Sequence, residues 1–191
     1  MNSGERFGGL SRRSAVLIGL TIGVGLLHHI DHVLRVDHSG WPFRPDVNPF
    51  TFSLLAYPIL LFALFGPRRL FWVRWGFLLF GVAFTLFAHT AIETPGMQYA
   101  MWAHNHSSDP QDEGSHNLLG LQSAAVGEAA VAHSMVLNVL LATACLSMLW
   151  DGLSRRTAPS KRGAPNQALQ PTGHENSGSS VFSDAPTRAG G

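Results

Sequence analysis

Four long apolar segments constrain the fold of this chain more than any other feature. They cover residues 14–34, 50–65, 71–92 and 129–150. A helix needs about 17–25 mostly apolar residues to cross the hydrocarbon core of a bilayer, and the second segment is the shortest of the four. Four such segments in succession favour membrane helices over buried helices of a soluble protein. The sequence therefore predicts an all-α, polytopic membrane protein built as a four-helix bundle.

The composition agrees with a membrane protein and gives no sign of a nucleic-acid partner. Of the 191 residues, 46% are hydrophobic and only 13% are charged, whereas charged residues make up about a quarter of an ordinary soluble domain. The formal net charge is +1, and the arginines lie beside the apolar segments rather than on a free basic face. The single cysteine, Cys145, cannot form an internal disulfide. We expect the lipid bilayer, and no nucleic acid, among the partners.

Positive charges at the segment ends predict the orientation, because arginine and lysine are enriched in cytoplasmic loops. The connection between the first two segments carries only Arg35 and Arg44, and the long loop 93–117 carries no arginine or lysine. Both termini are therefore expected in the cytoplasm, in a multi-pass protein of the cell membrane. The positive charges before the first segment, around the turn between the second and third, and after the fourth are Arg6, Arg12, Arg13, Arg68, Arg69, Arg74, Arg155, Arg156, Lys161 and Arg162.

The sequence before the first segment has a second interpretation. Ser11, Arg12 and Arg13 precede an apolar run of about 14 residues, a pattern similar to a twin-arginine export signal. We favour a cytoplasmic flank, because His28 and His29 stand where a small-residue cleavage site is expected and three more apolar segments follow.

The chain divides into three predicted parts. Residues 1–13 form a cytoplasmic N-terminal segment, residues 14–152 the transmembrane domain with its outer loop 93–117, and residues 153–191 a cytoplasmic tail. Serine, proline, glycine, alanine and threonine dominate the tail, and such a composition cannot bury enough apolar surface to offset the entropy of ordering. We therefore predict that the tail is disordered.

Nine of the ten histidines are grouped on the predicted non-cytoplasmic side. Imidazole is the commonest protein metal ligand and changes its charge near neutral pH. A group of this kind points to a metal ion, a haem or a proton, and the sequence leaves these three open. The nine are His28, His29, His32, His38, His89, His104, His106, His116 and His133; only His174 lies elsewhere.

The first segment carries the clearest ligand pattern. Steps of three and four residues bring side chains onto one face of a helix, and His28, Asp31, His32 and Arg35 follow this spacing. Two histidines four residues apart can bind one metal ion, and Asp31 is placed to ligate or to accept a hydrogen bond from a ligand.

The third and fourth segments add further candidate ligands at the same predicted depth. His89 and Glu93 share a face of the third segment by the same spacing, and His133 is the deeper candidate of the fourth. Glu128 lies five residues before His133, and a straight helix does not direct both at one atom. Ionisable groups at membrane depth usually face the bundle interior and mark functional sites. The predicted metal site at the outer leaflet consists of His28, His32, His89 and His133, supported by Asp31 and Glu93.

Three functions agree with these residues. Nitrogen and carboxylate ligands without a thiolate suit zinc, copper or non-haem iron, and we expect a metal-binding membrane protein with redox or metal-dependent enzyme chemistry. In an alternative, His28 or His32 pairs with His89 or His133 around a b-type haem in an electron-transfer subunit. A third interpretation is a non-enzymatic accessory or pH-sensing protein. Four spans are few for a transporter, so transport would require a homo-oligomer or a partner membrane subunit.

Overall fold

The computed structural model describes residues 7–35, 54–108 and 114–157, and all regular secondary structure in these ranges is helical. This confirms the all-α prediction for the described part of the chain. A 3-10 turn, Arg68–Leu70, leads into the third helix, and a π-helical turn, Ala88–Ile92, continues that helix. The five α-helices are α1 (Arg12–Arg35), α2 (Ala56–Phe65), α3 (Phe71–Phe87), α4 (Pro95–His104) and α5 (Ala124–Thr157).

Three helical stretches are long and apolar enough to cross a membrane: Arg12–Arg35, Arg68–Ile92 and Ala124–Arg156. Large apolar side chains along them are exposed, as the exposed fractions of Phe80 (63%) and Val139 (65%) show. Apolar surface of this extent is typical of a surface that contacts lipid or another protein. The chain is therefore a candidate membrane protein with three candidate spans among the described residues.

The second predicted segment forms a shorter helix than a membrane span requires. Helix α2 has 10 residues, which gives a length of about 15 Å, half the thickness of the hydrocarbon core. Residues 50–53 of the predicted segment lie outside the described residues. Helix α2 packs against α1 and α3, so it contributes a fourth, short apolar helix to the bundle.

The predicted outer loop 93–117 contains the helix α4, Pro95–His104. Thr94 caps α4 by accepting a hydrogen bond from the backbone N–H of Met97 at 3.3 Å, and Pro95 occupies the first turn. Both are strong helix-start signals. Met101 and Trp102 of this helix are buried, so α4 packs along α5 instead of lying free at the surface.

Helix α5 is longer than its predicted span at both ends. It begins at Ala124 rather than residue 129 and continues without a break through Gly127. A Cβ atom at Gly127 would lie 2.9 Å from the carbonyl oxygen of Tyr99, so the glycine permits the close packing of α4. The predicted tail begins at residue 153, but the helix continues to Thr157; residues 158–191 lie outside the described residues.

A tight apolar core holds the ends of the helices near the N-terminus of α1. Four helices each contribute one fully buried side chain to this core: Ile18 from α1, Ala63 from α2, Leu78 from α3 and Met148 from α5. The buried guanidinium of Arg74 donates hydrogen bonds to the carbonyl oxygens of Ala63 and Gly8, and so binds the C-terminal end of α2 to the N-terminal segment. This packing fixes one end of the bundle, while the opposite ends of the same helices converge on the histidines.

Candidate metal centre

Three imidazoles from two helical segments meet in the bundle interior. The Nε2 atom of His28 lies 2.9 Å from Nε2 of His89 and 3.0 Å from Nε2 of His32. Each ring contributes one nitrogen to a group in which all distances are within 4.8 Å. All three side chains are buried. We call this group the histidine triangle; it brings three potential donor atoms to one point.

Local backbone geometry places each ring. His28 and His32 are one turn apart on α1, so their side chains point the same way. His89 lies in the π-helical turn, in which the N–H of Glu93 donates to the carbonyl of Ala88, five residues earlier, at 2.8 Å. Single π turns inside α-helices are frequent at functional sites. The sequence analysis treated this segment as a regular helix; the wider turn still leaves both His89 and Glu93 buried.

A hydrogen bond to α5 fixes the orientation of His89. Its Nδ1 atom lies 3.2 Å from Oδ1 of Asn138. Because an amide oxygen only accepts, this contact places the ring proton on Nδ1 and leaves the Nε2 lone pair directed at His28. Asn138 therefore keeps His89 in the tautomer that can bind a cation.

Glu93 and Arg35, near the Nδ1 atom of His32, favour opposite tautomers of this ring. Its Nδ1 atom lies 3.4 Å from a carboxylate oxygen of Glu93 and 3.2 Å from a guanidinium nitrogen of Arg35. With the proton on Nδ1, the lone pair of His32 is on Nε2, which lies 3.0 Å from Nε2 of His28; with the proton on Nε2, Nδ1 accepts from Arg35. A cation in the histidine triangle would select the first arrangement.

A buried cluster of charges lies beside the histidine triangle. Arg35 is 1% exposed, and its Nε atom donates to Asp31 at 3.0 Å while the same guanidinium forms an ion pair with Glu93. The indole N–H of Trp102 on α4 donates to the second oxygen of Asp31 at 2.9 Å. With one guanidinium and two carboxylates the cluster has an excess of negative charge. In a buried environment this excess attracts a cation to the neighbouring triangle.

The other predicted ligands lie near the triangle but outside it. His133 is stacked on His28 at 5.9 Å between ring centroids, and its Nε2 donates to the carbonyl oxygen of Val24 at 3.1 Å. Asp31 and Glu93 contact Arg35 and thus belong to the surrounding charge cluster.

The remaining predicted histidines are not part of the triangle. His29 packs edge-on against the ring of Tyr57. His104 and His106 are exposed. The Nδ1 atom of His116 donates a hydrogen bond to the carbonyl oxygen of Asn105. The predicted outer-side His38, and His174 in the predicted tail, lie outside the described residues.

Two residues of the site were not identified as such from the sequence. Arg35 was counted as a charge of the outer connection, although it shares the helical arc of His28 and His32, and that spacing was the available signal. Asn138 was counted only as part of an apolar segment; it is the one amide side chain between residues 129 and 150, and an isolated polar group of that kind signals a buried partner.

The spacing of His28 and His89 does not leave room for a haem between these two rings. Two axial ligands on opposite faces of a haem iron lie about 4 Å apart, because each metal–nitrogen bond is about 2.0 Å long. The Nε2 atoms of His28 and His89 are 2.9 Å apart and the ring centroids 4.8 Å apart, which leaves no gap for a porphyrin between these two rings.

The chain matches no protein-family model, and no curated protein or solved structure shows significant similarity to it.

Proposed function

We propose that this protein is an integral membrane protein that binds one transition-metal ion through the Nε2 atoms of His28, His32 and His89. The observation that carries the proposal is the approach of these three nitrogens, at 2.9 and 3.0 Å from the central one. Metal–nitrogen bonds of about 2.0–2.1 Å in a tetrahedral site place neighbouring nitrogens about 3.3 Å apart. The two distances to His28 are within about 0.4 Å of this value, and all three donor atoms lie within 4.8 Å of one another. Zinc, copper and iron are the ions that imidazole ligands without thiolates suit.

The neighbouring residues support this ligand set. Metal-bound histidines usually donate their second ring N–H to a carboxylate or carbonyl, which fixes the ring and raises its basicity. Asn138 is placed to accept from His89, and a carboxylate oxygen of Glu93 lies 3.4 Å from Nδ1 of His32. Three protein ligands leave one coordination position open, as in catalytic zinc sites. We therefore propose metal-dependent chemistry, redox or hydrolytic, at this open position.

We further propose that the bundle spans the cell membrane with both termini in the cytoplasm, with residues 1–13 and the tail from residue 153 on that side. Arginines at the ends of the spans opposite to the histidines support this orientation. The metal site then lies near the outer leaflet, and a homo-oligomer or a partner membrane subunit would cover part of the exposed apolar surface.

Cysteine labelling in intact cells tests the orientation. A membrane-impermeant maleimide should label Gln122→Cys, in the exposed segment before α5, and should not label Arg68→Cys before cells are opened; both parent residues are exposed. The native Cys145 is buried and serves as the background control. The reverse labelling pattern would contradict the proposed topology.

Metal analysis of the detergent-purified protein tests the ligands. After loading with Co²⁺ and removal of free metal, we expect about one ion per chain and the visible absorption of tetrahedral cobalt. His28→Ala should lose this ion, whereas His106→Ala, which changes an exposed histidine outside the triangle, should retain it. A haem absorption spectrum of the protein as isolated would favour the electron-transfer alternative. The absence of both would contradict metal binding and leave the accessory or pH-sensing interpretation.

A further inference from the structure

An apolar cavity of about 290 Å³ adjoins the histidine triangle. It lies between α1, α2 and α3, and Leu137 and Leu141 of α5 form its rear wall. Its volume is close to the lower end of the range for small-molecule pockets, about 300–1,000 Å³. His28, His32 and His89 line one end, so the cavity and the proposed metal site share a boundary.

The cavity is elongated along the helix axes. On α1 its lining extends from Thr21 to His32, which is roughly 16 Å at 1.5 Å per residue. On α3 and its π turn the lining extends from Phe80 to Ile92. The histidines therefore provide a polar end, while most of the remaining wall consists of aliphatic and aromatic side chains. This shape fits a molecule with an apolar body and one polar end.

Two glycines in the wall, Gly25 and Gly81, leave space for the cavity. Gly81 of α3 lines the cavity, and a Cβ atom built there would meet no described atom within 4 Å. A Cβ at Gly25 would come only within 3.9 Å of Leu137. Glycine is among the least favourable residues in a helix interior. Gly81 therefore leaves this space open at a cost in helix stability. Because Gly81 lines the cavity and a Cβ there meets open space, a larger side chain at this position is expected to reduce the volume of the cavity.

We infer that the cavity binds an apolar molecule from the bilayer that has one uncharged, oxygen-bearing end, a hydroxyl or a carbonyl. The oxygen lies at the open position of the histidine triangle, and the apolar body extends toward Thr21 and Leu141. In the metal-free protein the excess of carboxylates around Arg35 disfavours an anionic end. The role of the oxygen rests on the proposed metal site, but the cavity itself is formed by apolar side chains and does not depend on a metal ion.

Photolabelling tests whether the molecule binds in the cavity and which of its ends lies near the histidines. Two dodecanol analogues carry a diazirine, one beside the hydroxyl group and one at the far end of the chain. With metal-free and Co²⁺-loaded protein in phosphatidylcholine vesicles, we expect the first probe to attach near Ala88 and Ile92 and the second near Thr21 and Leu141. Labelling should saturate and should be competed by unlabelled dodecanol.

A matched pair of variants separates the cavity from the lipid-facing surface. Gly81→Leu should reduce the saturable labelling at least about tenfold, since a pocket that loses the volume of several methylene groups loses binding on that scale. Gly76→Leu lies on the same helix, on an exposed face with no atom within 4 Å of an added Cβ. It should leave the labelling unchanged.

The outcomes distinguish this inference from the proposed metal site. The inference would be overturned by labelling that does not saturate or that persists in Gly81→Leu. Labelling of the same residues by both probes would also overturn it. Saturable and directed labelling of a protein that binds no Co²⁺ would overturn the metal site but support the cavity. If Gly81→Leu does not fold, as circular dichroism would show, competition by unlabelled dodecanol with the unmodified protein decides.

Discussion

The Nε2 atoms of His28 and His89 lie 2.9 Å apart, although the two residues are separated by 61 positions in the chain. Two imidazole lone pairs at this distance repel each other unless a proton or a cation lies between them. The contact between Asn138 and His89 places the proton of His89 on the far side of its ring. A proton on Nε2 of His28 or a cation shared by the two rings satisfies this contact, and His32 brings a third nitrogen to within 3.0 Å of His28.

Asn138→Leu should weaken metal binding without changing the ligands. The substitution removes the acceptor that keeps His89 in its binding tautomer, and loss of such a partner typically lowers metal affinity by about 10–100-fold. Competition with a chelator would measure this change. Asn138→Asp, which can still accept the hydrogen bond, should restore most of the affinity, and Thr143→Val on the same helix should have no effect. Equal losses in all three variants would contradict the role given to Asn138.

Arg35→Met should destabilise the protein strongly. Arg35 is 1% exposed and pairs with Asp31 and Glu93. Its removal leaves the buried Glu93 and the partly buried Asp31 without a cationic partner, at a cost of about 3–5 kcal/mol. The free energy of unfolding in mixed detergent micelles measures this effect. The triple variant that adds Asp31→Asn and Glu93→Gln should recover much of the loss. An unchanged stability of Arg35→Met would show that the charge cluster is not buried.

Gly127→Ala should separate α4 from α5. The new Cβ would lie 2.9 Å from both a ring carbon and the carbonyl oxygen of Tyr99, and overpacking of this kind costs about 1–3 kcal/mol. Gly76→Ala changes an exposed helix position with open space around it, and should instead stabilise by about 0.5–1 kcal/mol. Unfolding of the two variants under the same conditions compares them; stabilisation by Gly127→Ala would contradict the close approach.

Arg74→Lys should lower the stability of the bundle, although it keeps the positive charge. Arg74 lies at the end of the bundle away from the histidine triangle. The guanidinium donates to the carbonyl oxygens of Ala63 and Gly8 through different nitrogens, and a single ammonium group cannot reproduce this fork. Each acceptor left unsatisfied in a buried place costs about 1–3 kcal/mol. The exposed Arg68→Lys is the control. Equal unfolding free energies for both variants would show that Arg74 contributes only its charge.

The spacing of residues in the sequence was sufficient to predict the helices, and the shared depth of the histidines in the apolar segments predicted that His28, His32 and His89 meet. Helical periodicity placed His28, Asp31, His32 and Arg35 on one face, because steps of three and four residues depend only on helix geometry. The extent of the helices was less accessible: α4 was assigned to a loop, although Thr94 and Pro95 are strong signals for a helix start.

Contacts between helices could not be derived in the same way. The bond of His89 to Asn138 depends on how α5 rotates against the π turn, and no local pattern encodes that rotation. Likewise, His133 has a predicted depth similar to that of the three triangle histidines. Its Nε2 atom, however, donates to the carbonyl oxygen of Val24. Helical periodicity alone does not distinguish these two situations.

X-ray absorption of the zinc-loaded protein tests the central claim most directly. We expect three imidazole nitrogens at about 2.0–2.1 Å from the ion, with fewer in His89→Ala and an unchanged number in His133→Ala. A zinc environment of oxygen atoms alone, or one that remains the same when His89 is replaced, would contradict coordination by the histidine triangle.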